Sequence, residues 1–446
     1  MTTLVPQCPR VAGAIAASST VSHPGLLEQA LTILTLAVLT LGLPTEWLVA
    51  HDPITPINTG GNALPSAVFL ALGFMLATRL IGNWRIVLEA VRREPLISVI
   101  VLLAFASMLW SPDPVQTFRR FGAFFIATLV GYYLVVRYDL GKIIRMLAIV
   151  LMLATLLNYI WIYALPQYGI DGLGLHWIGI TTNRNVLGRL TVLSTLTFAI
   201  AQREHLSMRF VYRFFIVLQL PLVLGAGSKT SLASYGLTMG LLFVYQAFRA
   251  RKTLYGAVAV SLGGAAALGL AVATASLDAI TKALDRDITL SGRTVLWEDL
   301  IKEGTKHPFV GHGWEAFWGG WFSPSHEIWI RHNWLPPTAH NVFLEMFLAL
   351  GLAGTIPFVL LIARGTIRAA RHVRYVDGPL GLWPLGFLSM VIMISITESG
   401  IAGRTIFWPL LVVASVHGAN LSRRVLEMHD EELPEIAAVG RQRKTR

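Results

Sequence analysis

The sequence predicts an all-α, polytopic integral membrane protein with about twelve transmembrane helices and one large polar loop on the outer side of the membrane. The first observation is composition: 54% of the 446 residues are hydrophobic and only 14% are charged, too few for the polar surface of a soluble protein. The second is that the apolar residues form repeated runs of roughly 17–25 residues, long enough to cross a hydrocarbon core of about 30 Å. Runs of this length also exclude a transmembrane β-barrel, whose strands need only about ten residues each.

The predicted spans divide the chain into five parts. A tail at 1–24 precedes nine spans within 25–276, the large loop occupies 277–338, three further spans lie within 339–421, and a basic tail occupies 422–446. Hydropathy places the spans near 25–44, 64–83, 95–110, 119–136, 143–165, 185–201, 210–226, 229–248, 253–276, 339–363, 379–399 and 404–421.

The N-terminal tail and the cysteine content each exclude one kind of feature. The tail carries one basic residue, Arg10, and lacks the charged, apolar and cleavage regions of a signal peptide, so we expect it to be retained. The single cysteine, Cys8, excludes an intrachain disulfide and a thiolate metal cage.

The net charge of +11 is explained by membrane topology. Lys and Arg are concentrated in alternate connections between spans and in the C-terminal tail, whereas the short loop at 45–63 contains neither. Because basic connections stay on the cytoplasmic side, we predict that both termini lie inside and that the 277–338 loop lies outside. The charge therefore gives no reason to expect a nucleic-acid partner.

A few basic residues lie on the outer side and so run against this bias. They occur where predicted spans open, and the large loop adds Arg293 among others. Those at the span openings are Arg119, Arg120, Arg184, Arg189, Lys229 and Arg404. Each could simply extend its charged group to the membrane surface while its stem stays in the apolar layer. Their convergence at one side is more typical of an anion site.

The large loop contains a predicted short helix and a dense aromatic segment. A helix that starts near Gly292 and ends before His307 and Pro308 would place five apolar residues on one face: Val295, Leu296, Trp297, Leu300 and Ile301. Arg293 would lie in its first turn, where free N–H groups and the helix dipole favour an anion. The Trp and Phe residues that follow favour a membrane interface, with stacking on sugar rings as the alternative.

His340 is the strongest candidate for a catalytic group. It lies beside Asn341 where the tenth predicted span opens, and imidazole accepts protons near neutral pH, as a general base for a hydroxyl nucleophile must. The alternative is a histidine that caps the helix at the membrane surface. Glu345 follows on the same helix and would orient a neighbour or pair with an outer arginine. Asn183 opens the sixth span, where it would cap the helix or support the site.

Metal and nucleotide chemistry find weaker support in the sequence. Asp285 and Asp287 have the spacing of a pair that could hold a metal–diphosphate complex, but no strand precedes them. The outer histidines match no compact zinc pattern, and the chain lacks a phosphate-binding Gly-x-x-x-x-Gly-Lys loop. Since ATP is absent outside the inner membrane, the energy of an outer reaction must travel on its substrate. A lipid-linked sugar pyrophosphate fits: arginines would hold the pyrophosphate, and direct attack by a hydroxyl would invert the anomeric centre.

Several short motifs, in this order and topology, resemble the O-antigen ligase and polymerase superfamily of bacterial envelope glycosyltransferases. The resemblance covers about 105–410. Its upstream residues are Trp110, Ser111 and Pro112, then Arg119 and Arg120, then Asn183, Arg184, Asn185 and Gly188. Its downstream residues are Ser291, Gly292, Arg293, Thr294, Trp297, His307, Pro308, Gly311, His312, Gly313, His340, Asn341, Gly351, Leu352, Gly354, Glu398, Ser399, Phe407 and Trp408.

The resemblance implies a GT-C-like glycosyltransferase that works at the periplasmic face of the inner membrane without a metal or other cofactor. Its donor would be a glycan on undecaprenyl pyrophosphate, and in the ligase branch its acceptor would be a sugar of the lipid A core. The family's catalytic histidine corresponds to His340, and its arginines correspond to Arg184 and Arg293. Topology adds Arg120, Lys229 and Arg404 as further anion-binding candidates.

Three alternatives remain beside the ligase. A polymerase of the same superfamily would use a second lipid-linked glycan as acceptor, but a single long outer loop directly before His340 favours the ligase. Protein O-glycosylating relatives rank third. A transporter for the same lipid would place polar residues along a path through the bilayer, whereas here they gather at the outer rim. The sugars and the oligomeric state are left open.

Overall fold

The computed structural model describes residues 24–43, 63–172, 174–249, 293–319, 323–332, 335–375 and 379–418. All regular structure in these ranges is helical, apart from one isolated bridge between Ile170 and Trp177. Apart from the one-turn helix Pro166–Gly169 and the short 3-10 turns, the first nine helices are α1 Leu26–Leu41, α2 Ala63–Ile81, α3 Trp84–Arg93, α4 Pro95–Ala106, α5 Pro114–Arg137, α6 Leu140–Ala164, α7 Arg184–Glu204, α8 Arg209–Gly225 and α9 Lys229–Arg249. They are followed by α10 Arg293–Gly304, α11 Ser325–His332, α12 Val342–Tyr375, α13 Leu382–Thr397 and α14 Phe407–Gly418.

The prediction of an all-α, multi-pass membrane protein is confirmed. Within the described ranges, α2, α5, α6, α8, α12 and α13 are long and apolar enough to cross a membrane, and α1, α4 and α14 are shorter apolar helices. The predicted span at 253–276 lies outside the described residues. The count of twelve spans therefore stays a prediction.

Helix α7 is less apolar than a lipid-facing helix because protein surrounds it. It packs against α6, α8, α9 and α13, and nearly every side chain from Leu187 to Ala201 is buried. The hydroxyls of Thr191 and Thr195 donate to carbonyl groups one turn earlier, at 2.8 and 2.9 Å. A helix whose polar groups are satisfied in this way can cross the centre of a bundle without an apolar surface.

The two ends of the bundle differ in chemistry. At one end Arg137 donates two 2.8 Å hydrogen bonds to Glu28, and Arg368 pairs with the fully buried Glu94. We call this the basic end, because the connections rich in Lys and Arg meet there. His340 lies at the other end, since it comes two residues before α12 begins at Val342, whereas Arg368 lies in the last third of that helix.

A small second core lies at the end opposite the basic end. It joins α10, α11 and the first turns of α12 through six buried apolar residues: Leu296, Leu300, Phe317, Ile328, Ala339 and Leu348. The predicted helix near Gly292 is confirmed, but its buried face is narrower than expected, because Val295 and Ile301 are about half exposed. Trp314 is buried against Phe124, with ring centroids 4.2 Å apart, so this tryptophan packs in the core and not at a membrane interface.

Helix α12 is broken at Gly351, and the segment 307–313 lies against the break. Gly351 has φ 59° and ψ −158°, a combination that only glycine adopts readily. Around it the N–H groups of Leu352 and Ala353 donate to the carbonyls of Pro308 and Phe309, at 2.8 and 3.0 Å. In the opposite direction His312 and Gly313 donate to Leu348 and Ala349, at 2.8 and 2.9 Å. The break thus anchors the segment 307–313 to α12.

Candidate active site at the His340 end of the bundle

His340 lies on a tight turn before α12, not within the helix. The predicted helix start at Ala339 is wrong by three residues: α12 begins at Val342, and the side chain of Asn341 caps it by accepting from the N–H of Leu344 at 3.0 Å. His340 has φ 51°, which is uncommon for a residue with a side chain and costs about 1–3 kcal/mol. Asn341, and not His340, therefore caps the helix. The imidazole of His340 projects from a strained turn.

Both flanks of this turn are tied to other segments. Before it, the N–H of Ala339 donates to Glu345 at 2.5 Å, and its carbonyl accepts from the indole of Trp297 at 2.7 Å. After it, the N–H of Asn341 donates to the Ser399 hydroxyl at 3.2 Å. These contacts hold the backbone in a conformation that His340 would not adopt alone.

The imidazole of His340 faces a carboxylate. Its Nδ1 lies 3.7 Å from Oε2 of Glu398, and the two side chains are 19% and 6% exposed. The carboxylate can stabilise a positive charge on the ring, while the exposed part of the ring remains accessible. The pair thus places a carboxylate within ion-pair distance of the candidate base.

Glu345 connects three segments around the turn. Its Oε1 accepts from Ala339 and, at 3.2 Å, from the Ser399 hydroxyl, and its Oε2 accepts from the indole of Trp318 at 2.9 Å. These contacts match the first of its two predicted roles, the orientation of neighbours.

The segment 398–406, which joins α13 to α14, brings the site together. Glu398 and Ser399 at its start are 5% and 8% exposed, and both contact the His340 turn. The buried Arg189 of α7 donates to the Ser399 carbonyl and lies with its guanidinium carbon 5.7 Å from the Phe407 ring centroid. Gly400 has φ 84°, a backbone conformation that favours glycine, and a Cβ there would lie 3.2 Å from Nη1 of Arg189.

Arg120 pairs with Glu315, which lies against the same segment. It donates to the carbonyl of Glu315, and its Nε lies 3.9 Å from Oε2 of that residue. A Cβ at Gly403 would lie 2.8 Å from Oε1 of Glu315, so the backbone at Gly403 closely approaches the Arg120–Glu315 pair. The exposed Arg404 is the next residue in the chain.

Arg184 lies in a separate group at the start of α7. Its Nη1 is 2.8 Å from Nε2 of His176, whose Nδ1 is 2.9 Å from Asp171. The exposed Lys229 begins α9 two residues after Gly227, where a Cβ would lie 2.3 Å from the His176 ring. Asn183 takes the capping role, because its side chain accepts from the N–H groups of Asn185 and Val186.

The side chain of Arg293 lies outside the described residues, but its place on α10 is clear. It is the first residue of that helix, one turn before Trp297, which donates to the carbonyl of Ala339. Residues four apart share a helix face. Arg293 is therefore on the face of α10 that reaches the residue before His340.

The predicted anion-binding residues thus form neighbouring groups and not one cluster. Sequence reasoning passed over Asp171 and His176 and treated Trp318 only as one of the aromatic residues of the large loop. It counted Arg189 among the outer basic residues but assigned no role in the site to Arg189, Glu398 or Ser399. Glu398 and Ser399 carried a signal, since both belong to the predicted family resemblance, and Arg189 carried one in its predicted position on the outer side. Asp285 and Asp287 lie outside the described residues, and no three His, Cys, Asp or Glu side chains within those residues are grouped to hold a metal ion.

Comparison with known proteins adds two findings. Residues 214–359 match the family model described as O-Antigen ligase, a shorter stretch than the predicted 105–410. The chain is 34% identical over 143 residues to the exopolysaccharide production protein ExoQ of Rhizobium meliloti (strain 1021). That match covers 30% of this chain and 32% of the relative, so it spans about a third of either protein. His340, Glu345, Arg293 and Lys229 lie within the family match.

Proposed function

We propose, from the match of residues 214–359 to the O-antigen ligase family model, that this chain is a glycosyltransferase of that family that moves a lipid-linked glycan onto a sugar hydroxyl at the His340 end of the bundle. Members of this family are glycosyltransferase-like enzymes that act on lipid-linked glycans. In its specific form the proposal is an O-antigen ligase with a GT-C-like fold. The donor glycan is carried on undecaprenyl pyrophosphate, and the acceptor is a sugar of the lipid A core.

The observation that carries the proposal is the His340–Glu398 pair on its clamped turn. Nδ1 faces Glu398 at 3.7 Å, and we assign to Nε2 the role of accepting the proton of the acceptor hydroxyl. The hydroxyl oxygen then attacks the anomeric carbon as the bond to pyrophosphate breaks. Glu398 stabilises the imidazolium that forms, and one displacement inverts the anomeric centre.

The pyrophosphate leaving group needs positive charge at the same end of the bundle. We assign that role to Arg184, Arg293, Arg120, Lys229 and Arg404. The contact with His176 uses one of the five N–H donors of Arg184, so its guanidinium can still bind phosphate oxygens. Such contacts would stabilise the charge that grows on the leaving group, and they would do so without a metal.

The membrane orientation follows from the basic end. Since Lys and Arg connections remain cytoplasmic, the basic end would face the cytoplasm and His340 the periplasm of a bacterial inner membrane. The outer domain would then be the predicted loop at 277–338, of which 293–319, 323–332 and 335–338 pack at the His340 end.

A second candidate is a polysaccharide polymerase with the same donor. The observation that favours it is the likeness to ExoQ, whose name assigns it to exopolysaccharide production. A polymerase would use the same base and the same anion-binding residues, but its acceptor would be a second lipid-linked glycan.

The test is reconstitution of the purified full-length protein with a lipid-pyrophosphate-linked glycan and rough lipopolysaccharide, in the presence of EDTA. We expect transfer to the lipid A core. His340→Ala should lose about a hundredfold or more of the rate, the usual contribution of a general base, and Arg293→Ala should also lose transfer. The matched control is His205→Ala, because His205 lies at the basic end beside Arg145.

Each other outcome points elsewhere. Full activity of His340→Ala would refute the assigned base. Longer lipid-linked chains without transfer to the core would establish the polymerase. Inhibition by EDTA would indicate that the reaction needs a metal ion, with Asp285 and Asp287 as its candidate ligands.

A further inference from the structure

The loop between α6 and α7 folds around the carboxylate of Asp171. Its Oδ1 accepts from the N–H groups of Leu175 and His176, at 2.8 and 3.2 Å, and the N–H of Asp171 donates back to the carbonyl of His176 at 2.9 Å. Burial works against ionisation of Asp171, but these bonds and the His176 ring together hold its pKa below the ordinary value. The turn therefore presents His176 in one place beside a charged carboxylate.

The contacts of the His176 ring determine which nitrogen carries the proton. The guanidinium of Arg184 can only donate, so Nε2 of His176, 2.8 Å away, must accept. Nδ1 then carries the hydrogen and donates it to Asp171 at 2.9 Å. The ring is a neutral bridge from a carboxylate to a guanidinium.

A second segment fixes the ring from the side. Gly227, in the turn between α8 and α9, has φ 58°, and a Cβ there would lie 2.3 Å from Cδ2 of His176. The same turn accepts a hydrogen bond at its Gly225 carbonyl from the N–H of Trp177, at 2.9 Å. The imidazole is thus held between its own loop and this turn, and Lys229 follows directly as the first residue of α9.

An exposed arginine loses much conformational freedom when it binds a ligand. A side chain that already holds it in a binding conformation removes part of that cost, and so raises affinity without touching the ligand. We propose that His176 is a positioning residue that holds Arg184 ready for the pyrophosphate of the lipid-linked donor. This inference rests on the proposed function, which assigns the pyrophosphate to Arg184.

Two amide substitutions separate positioning from packing. The side-chain amide of Gln reaches about as far as Nε2 of histidine, whereas that of Asn reaches only as far as Nδ1. His176→Gln can still accept from Arg184, so its KM for the lipid-linked donor should stay near that of the wild type. His176→Asn should raise that KM about tenfold, the value of one hydrogen bond to a charged group, with little change in kcat.

A change to Asp171 supplies an independent variant that leaves His176 in place. In Asp171→Asn the amide oxygen can still accept from the backbone of the turn, while the amide nitrogen donates to Nδ1 of His176. The ring must then carry its hydrogen on Nε2, facing the donors of Arg184. We expect the same rise in donor KM as for His176→Asn, with thermal unfolding confirming that the variant is folded.

A double-mutant cycle ties the effect to Arg184. Arg184→Ala should raise the donor KM, and His176→Asn should add nothing further in that background. The matched control is His205→Asn, because His205 also accepts a hydrogen bond from an arginine, Arg145, but at the basic end. Its donor KM should equal that of the wild type.

The outcomes distinguish a failure of the pyrophosphate assignment to Arg184 from a failure of the positioning role of His176. If Arg184→Ala leaves the donor KM unchanged, the pyrophosphate assignment of the proposed function fails, and the inference fails with it. If Arg184→Ala raises KM but His176→Asn and Asp171→Asn do not, or if the effects of His176→Asn and Arg184→Ala are additive, only the positioning role is refuted.

Discussion

The break in α12 should be essential to the protein, and Gly351→Ala tests it. With φ 59° and ψ −158°, Gly351 has a backbone that alanine adopts only at a cost of about 1–3 kcal/mol. An added Cβ would lie 2.3 Å from the carbonyl carbon of Phe309 and 2.5 Å from its oxygen. These are backbone atoms, so no side-chain rotation relieves the overlap.

The segment 307–313 would have to move away from α12, and hydrogen bonds at the break would be lost. The bonds from Leu352 to Pro308 and from Ala353 to Phe309 contribute about 1 kcal/mol each. Together with the strain, the expected destabilisation is about 3–5 kcal/mol, a large part of the 5–15 kcal/mol that usually holds a protein folded. The same segment continues to Trp318, which contacts Glu345, so activity should fall as well.

Thermal unfolding in detergent and the rate of glycan transfer would measure these effects. Gly240→Ala is the matched control, since Gly240 lies within α9 and an added Cβ would meet no described heavy atom within 4 Å. Its melting temperature should stay the same or rise slightly, because alanine is favoured over glycine within a helix by about 0.5–1 kcal/mol. If Gly351→Ala melts and turns over like the wild type, the described contacts at the break are wrong.

Three further predictions concern the site and its support. Glu398→Gln removes the negative charge 3.7 Å from His340, so kcat should fall about tenfold or more with an unchanged donor KM; an unchanged kcat would exclude Glu398 from the reaction. Trp297→Phe removes the bond to Ala339 and should lower stability by about 1 kcal/mol in denaturant melts, with a loss of kcat. Burial lowers the pKa of His312. The unfolded chain therefore binds a proton near pH 6.5 that the folded ring takes up only at lower pH, and stability should decrease as the pH falls below about 6.5. Melting temperatures between pH 7 and 5 should show this decrease, and it should be smaller in His312→Gln.

The amino-acid sequence by itself determined the class of the fold, most helix positions and the end of the bundle that holds the candidate site. Hydropathy and charge act locally along a chain that crosses a membrane, so runs of apolar residues and basic connections can be read directly. The same local patterns singled out His340 and the short helix that begins at Arg293. They also located Asn183 as a helix cap, a role that depends only on the next few residues.

The tertiary structure alone decided what surrounds His340. Glu398 is 58 residues away in the chain, and Arg189 is 210 residues from the Ser399 carbonyl that it binds. No local pattern states which distant loops meet. Even the start of α12 escaped prediction, because Asn341 caps the helix while it also binds Ser399 and the carbonyl of Ile396. Side chains that join separate segments acquire their function only when packing brings those segments together, and that packing is a property of the whole fold.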